Sequence, residues 1–225
     1  GDVYKRQVSS RACVALAFVL CLAASPVAFA ARSSGEPVVT LAPPAAGPEI
    51  ARAQSYLSGL GTARARFLQT APDGSEATGT FYLKRPGRLR FEYDPPAREF
   101  VVADGLLIYF YDGDLGEQSN APIGQTLADF LLRDNLRLSG DVRVTEVKRA
   151  GGLLQIQMVQ TSDPVAGSLT LGFTESPFAL RKWRVVDSQG LITEVELFNL
   201  ETGVALSPSL FIYRDPGADV RRLNP

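Results

Sequence analysis

The feature that most constrains this chain is a long succession of short segments in which apolar and polar residues alternate, cut at regular intervals by turn residues. The first group runs Thr62 to Thr70, Ala77 to Lys84, Arg88 to Asp94, Arg98 to Ala103 and Leu106 to Asp112. Its separators are Pro72-Asp73-Gly74, Arg85-Pro86-Gly87, Asp94-Pro95-Pro96 and Asp104-Gly105. Within Arg88 to Asp94, Leu89, Phe91 and Tyr93 share one face while Arg88, Arg90 and Glu92 share the other, so one side is dry and one wet. A second group follows: Val142 to Lys148, Leu153 to Gln160, Ser168 to Thr174, Leu180 to Asp187, Leu191 to Asn199 and Leu206 to Tyr213. The spacing predicts about eleven strands in antiparallel order. A sheet of that size left open would expose an apolar face, so it must curl into a barrel or split into a sandwich.

Two windows have helical spacing instead. Glu49 to Leu60 places Ile50, Ala53, Tyr56, Leu57 and Leu60 on one side before Gly61 stops it, and Ile123 to Arg133 does the same with Ile123, Leu127, Phe130 and Leu131. These short helices are the natural plug or lid, which makes the fold class α+β, mainly antiparallel β.

The N-terminal region reads differently. Lys5, Arg6 and Arg11 precede an unbroken apolar run, Ala12 to Ala24, and Ala28-Phe29-Ala30 has the small-x-small pattern of a cleavage site. Residues 1–30 are therefore read as a secretory signal peptide, of which 1–7 lack an initiator Met and are treated as a non-native start. The apolar run is too short to span a bilayer, which needs roughly 20 residues. Both cysteines, Cys13 and Cys21, fall inside this segment, so the processed chain has no disulfides. Cleavage removes Lys5, Arg6, Arg11 and Asp2 and leaves 20 basic against 23 acidic side chains. Residues 31–48, rich in Pro, Ala, Ser and Gly, read as a flexible leader, 49–220 as one domain, and 221–225 as a frayed tail.

Composition narrows the chemistry. The 225 residues include no histidine, which excludes Ser-His-Asp and Cys-His nucleophilic arrangements and the usual catalytic zinc sites. The nearest carboxylate pairs, Glu92 with Asp94 and Asp112 with Asp114, lie beside Pro95-Pro96 and Gly113 and read as solvated or turn-capping groups. No metal, cofactor or catalytic residue is expected, and the acidic balance gives no footprint for nucleic acid. Lys84, Arg85, Arg88 and Arg90 form a local basic cluster whose default is a solvated strand face. Alternatively, the Arg85 fork, at a strand end, can satisfy carbonyls at the end of a neighbouring helix. Periodicity alone leaves open whether the inward residues fill a core or line a cavity.

The order of short motifs resembles that of the periplasmic outer-membrane lipoprotein carrier family, LolA. The residues that carry the resemblance are Phe67-x-Gln69, Gly79-x-Phe81-x-Leu83-Lys84-Arg85-Pro86, Arg90-Phe91-x-Tyr93, Asp104-Gly105, and Tyr109-x-Tyr111-Asp112 with Gln118. Leu131-Leu132, Val186-Asp187-x-x-Gly190, Asn199, Phe211 and Pro216-Gly217-x-Asp219-Val220 continue it. The resemblance implies an incomplete, unclosed β-barrel with a lid of short α-helices over an apolar cavity, and a non-enzymatic chaperone of the Gram-negative periplasm. Its implied partners are lipoproteins, bound by their acyl chains, an inner-membrane lipoprotein-releasing ABC transporter and an outer-membrane lipoprotein acceptor, with the carrier itself a monomer. It assigns a lid latch to Arg85 and acyl-chain contacts to Phe81, Leu83, Leu89, Phe91, Ile108, Phe110, Leu127, Phe130 and Leu131, with Ile123 to Arg133 as the lid helix. Thr126-Leu127 stands where the family usually has Thr-Pro. The alternatives are a binding module for a free lipid or glycolipid and a sensor or scaffold domain of the same fold.

Overall fold

The alternating segments pair with their neighbours in chain order. In the computed structural model, which describes residues 39–41, 47–124, 127, 129–134 and 136–216, β2 (Thr62–Thr70), β3 (Glu76–Lys84), β4 (Arg88–Tyr93), β5 (Phe100–Asp104), β6 (Leu107–Asp112) and β7 (Glu117–Pro122) form one antiparallel meander. A second contains β8 (Val142–Ala150), β9 (Leu153–Gln160), β10 (Gly167–Glu175), β11 (Phe178–Asp187) and β12 (Ile192–Thr202). Pairing of β12 with β2 fuses the two into a single sheet, and β1 (Val39–Leu41) adds a short strand beside β8. The order β1-β8-β9-β10-β11-β12-β2-β3-β4-β5-β6-β7 leaves β1 and β7 as free edges, so the barrel is not closed.

Curling of this sheet is visible in its aromatic residues. Trp183 on β11 and Phe81 on β3 lie three strands apart in the order, a separation of roughly 14 Å in a flat sheet, yet their ring centroids are 5.7 Å apart. Phe91 on β4 is 5.0 Å from both Phe81 and Phe67. Gly79 makes room for this cluster, since a Cβ there would meet the Glu92 carbonyl and the Phe67 ring well inside contact distance. Register shifts at Phe198/Glu201 and Gly172/Phe173 add the local bends that tight curvature needs.

Two elements cross the concave face. Helix α1 (Pro48–Gly59) starts with Pro at its first turn and Glu49 near its positive end, and buries Ile50, Ala53 and Leu57 at helical spacing. Tyr56 meets Phe173 and Phe178 edge-on at 5.9 and 5.7 Å. The second is the connection from β7 to β8.

Four sequence expectations are corrected here. The lid window Ile123 to Arg133 is not one α-helix: among the described residues its regular part is a 3-10 turn, Phe130–Leu132. Gly124, at φ +98°, takes a backbone conformation incompatible with a helix running on from Ile123. The expected strand Leu206 to Tyr213 is instead a 3-10 turn at Pro208–Phe211. Its neighbour in sequence, β12, is already flanked by β11 and β2 and has no edge to offer it. It packs on β4 and β5, with Tyr213 stacked on Tyr109 at 4.7 Å. The sheet gains β7, which the alternation did not show, and β1 forms inside the expected leader 31–48. The expected signal peptide 1–30 and tail 221–225 lie outside the described residues.

Candidate functional site

The β3–β4 hairpin turn, Arg85-Pro86-Gly87, is where the sheet, α1 and the β7–β8 connection meet. A helix leaves its last carbonyls without intrahelical partners, and at the end of α1 the Leu60 and Gly61 N–H groups turn back only to the Leu57 and Gly59 carbonyls. The Arg85 side chain supplies further donors. Its Nη1 donates to the Leu57 and Leu60 carbonyls at 2.7 and 3.2 Å, and its Nη2 to those of Arg133 and Asp134, both at 3.0 Å. Backbone bonds reinforce the junction: Arg85 N–H to the Gly61 carbonyl at 2.8 Å and Gly87 N–H to the Leu132 carbonyl at 2.9 Å. Gly87 is obligatory at this turn, with φ +74° and a virtual Cβ only 2.9 Å from the Gly105 Cα. Burial lowers the Arg85 pKa while the Asp134 carboxylate opposes that shift. A guanidinium stays charged regardless, and placed at the negative end of α1 it is electrostatically favoured as well.

Beneath the gripped turn lies an apolar cavity. Its walls are Phe81 and Leu83 of β3, Leu89 and Phe91 of β4, Leu169 and Leu171 of β10, and Trp183 of β11, and its roof is Leu127 with Phe130, Leu131 and Leu132. The free space is about 20 Å³, room for roughly one water-sized group. On the other side of Leu132 an open cleft of about 830 Å³ is bordered by Pro86, Gly87, Gly105, Asp134, Asp141 and Ser162. The lid turn thus separates a small apolar space from an open cleft of mixed polar and apolar lining.

Of the residues singled out in the sequence, Phe81, Leu83, Leu89, Phe91, Leu127, Phe130 and Leu131 converge on this cavity. Ile108 and Phe110 do not: they are buried in the same core but opposite Ala121 and Ser119 of β7, away from the cavity lining. The sequence reading missed Leu132, Leu169, Leu171 and Trp183. Alternation in Leu169-x-Leu171-x-Phe173 marked an inward face, but only the curl of the sheet says which inward residues look at one another. The carboxylates set aside earlier cap or pair. Asp112 accepts from the Asp114 and Leu115 N–H groups, Glu92 pairs with Arg90, and Asp94 with Arg66. Among the described residues no three His, Cys, Asp or Glu side chains cluster to hold a metal, and no helix is long and apolar enough to cross a membrane.

An unclosed antiparallel barrel with a small apolar cavity beneath a hydrogen-bonded cover defines the class of fold and site. Comparison with known sequences identifies the family. The family model described as outer membrane lipoprotein carrier protein LolA matches residues 58–214, and the chain belongs to that family. A Methylococcus capsulatus protein named outer-membrane lipoprotein carrier protein is 31% identical over 178 residues, 75% of this chain and 85% of the relative. One of the same name from Nitrosospira multiformis is 31% identical over 178 residues, 74% and 85% of the two chains. A third, from Pseudomonas syringae pv. tomato, is 30% identical over 187 residues, 77% and 88%.

Proposed function

We propose that this chain, exported on residues 1–30 and acting through 49–220, carries lipoproteins across the periplasm with their acyl chains held in the cavity under the lid. An ATP-driven transporter of the inner membrane loads it and an outer-membrane acceptor empties it. The observation that supports this most is the Arg85 grip: one side chain joins the end of α1 to an apolar roof over an apolar space through hydrogen bonds to carbonyls of both.

Energetics explain why such a device suits a carrier. A sixteen-carbon acyl chain presents about 15 methylene equivalents, and at ~0.8 kcal/mol each its removal from water is worth roughly 12 kcal/mol. Two such chains cannot cross an aqueous compartment bare, yet a cavity that realised the full transfer energy would never release them. Hydrogen bonds contribute about 0.5–1.5 kcal/mol each, so a roof held by a few of them closes the empty cavity, yields to an entering chain and leaves the cargo less tightly bound. With the cavity closed to about 20 Å³, Leu127 and Phe130 to Leu132 must move before an acyl chain enters.

A release assay tests the reading. Purified protein lacking residues 1–30 is added to spheroplasts, and newly made lipoproteins should pass from the inner membrane into solution. Failure where an established carrier succeeds would overturn the proposal, as would co-purification of stoichiometric lipid without attached peptide. Separately, Arg85→Leu should load cargo but fail to hand it to the acceptor; unchanged hand-off removes the latch role.

A further inference from the structure

Asp129 is the exception among the lid residues. Leu127, Phe130, Leu131 and Leu132 around it are apolar and buried, yet Asp129 is itself only 1% exposed. Its Oδ2 accepts the Gly124 N–H at 2.6 Å, and its Oδ1 lies 3.7 Å from Nε of Arg133. Arg133 in turn sets its guanidinium 5.5 Å from the centre of the Phe130 ring and offers its carbonyl to Arg85. A carboxylate withdrawn from water is tolerated only where donors and an opposite charge replace its hydration. The position therefore calls for something an apolar residue would not supply. One side chain reaches both the beginning of the connection, at Gly124, and the end of the turn, at Arg133.

We propose that Asp129 is the positioning residue of the lid: it fastens Gly124 and Arg133 to each other across the turn, so that Phe130–Leu132 moves as one piece and the Arg133 and Asp134 carbonyls face Arg85. Arg85 grips the lid from outside and Asp129 stiffens it from within. Without the stiffener, the grip on two carbonyls no longer fixes Leu127 and Phe130 over the cavity. What the lid admits rests on the carrier reading above; the fastening does not.

Amide hydrogen exchange on the full chain, without lipoprotein, tests this in the wild type, Asp129→Asn, Asp129→Ala, Arg85→Leu and the double variant Asp129→Ala/Arg85→Leu. Asp129→Ala should speed exchange at Gly124 and across residues 130–134 by about tenfold, as expected for loss of a hydrogen bond to a charged acceptor, while β9 to β11 keep wild-type rates. Asp129→Asn retains an acceptor for Gly124 but loses the charge facing Arg133, and should fall between. Because both residues act on one closed state, the double variant should exchange within about twofold of Arg85→Leu alone. Unchanged exchange in both Asp129 variants overturns the proposal, as do multiplying effects in the double variant or equal acceleration in β9 to β11. A failed release assay with this exchange pattern intact removes the carrier reading and leaves the positioning role; the reverse result removes only the positioning role.

Discussion

Helix α1 and the lid turn cover the same concave face and share one core and one arginine, but they differ in how much regular structure backs the contact. Ile50, Ala53 and Leu57 bury the helix in the core, Tyr56 wedges against Phe173 and Phe178, and Arg52 lies over the Phe178 ring at 4.3 Å. The lid also buries Leu127 and Phe130 to Leu132 in that core, but its regular part is a single 3-10 turn, and directed hydrogen bonds at the carbonyls of Leu132, Arg133 and Asp134 fix it to the β3–β4 hairpin. Apolar packing is non-directional, whereas hydrogen bonds weaken steeply once distance and angle are lost. On the proposed reading one cover is a fixed wall and the other a door, with Arg85 bonded to both.

The largest expected effect breaks the wall. Leu57→Ala should lower unfolding stability by about 2–5 kcal/mol, read as a shift in denaturant midpoint. Phe130→Ala removes a larger side chain that is just as buried, yet should cost only ~1–2 kcal/mol, below the usual range for such a change, because the lid opens locally without unfolding the sheet. Equal losses for the two variants would mean that the lid is as fixed as the helix and the contrast false. Arg85→Leu should cost about 1 kcal/mol globally, since freed carbonyls become solvated once the lid lifts. Its signature is optical: Trp183, the lone tryptophan, lines the cavity and should shift its emission to the red as water reaches it. An unmoved spectrum would show that the lid stays shut without its grip.

The smallest effect lies outside both covers. Arg66 donates to Asp94, and Thr78 adds a second hydrogen bond, which holds the Asp94 carboxyl below its ordinary pKa. A depressed folded-state pKa means the stabilisation is full above the unfolded-state value of about 4 and is lost as the pH falls on through the lower folded-state value. Asp94→Asn should therefore lower unfolding stability at neutral pH by under ~1 kcal/mol for so exposed a pair, read as a small drop in thermal midpoint, with the difference vanishing in strong acid. An effect at neutral pH that persists in acid would assign the loss to something other than the ion pair.

What the sequence disclosed follows the same division. Strand β2 was legible to the residue and α1 to within one, because a half-buried strand and an amphipathic helix each leave a period in the order of side chains. Strand β7, Glu-Gln-Ser-Asn-Ala-Pro, leaves none: an edge strand with polar side chains is specified by its partner β6 rather than by its own pattern. The Leu206 to Tyr213 segment carried a strand-like pattern, but a pattern cannot register that both edges of β12 are taken. Half of the cavity was readable as inward residues of β3 and β4; the opposing wall, Leu169, Leu171 and Trp183, depended on curvature that no local spacing encodes. Arg85 was readable as a donor in search of helix-end carbonyls, whereas its second pair of acceptors, on a turn forty-odd residues away, was visible only in three dimensions.

The β7–β8 connection has a mechanical consequence of its own. It leaves the sheet at one free edge and re-enters beside the other, so it ties the two rims of the open barrel together like the string of a bow. The rims cannot spread without drawing on slack in that string, and the gripped turn is part of it. Volume gained by widening the sheet and volume gained by lifting the turn therefore come from the same length of chain.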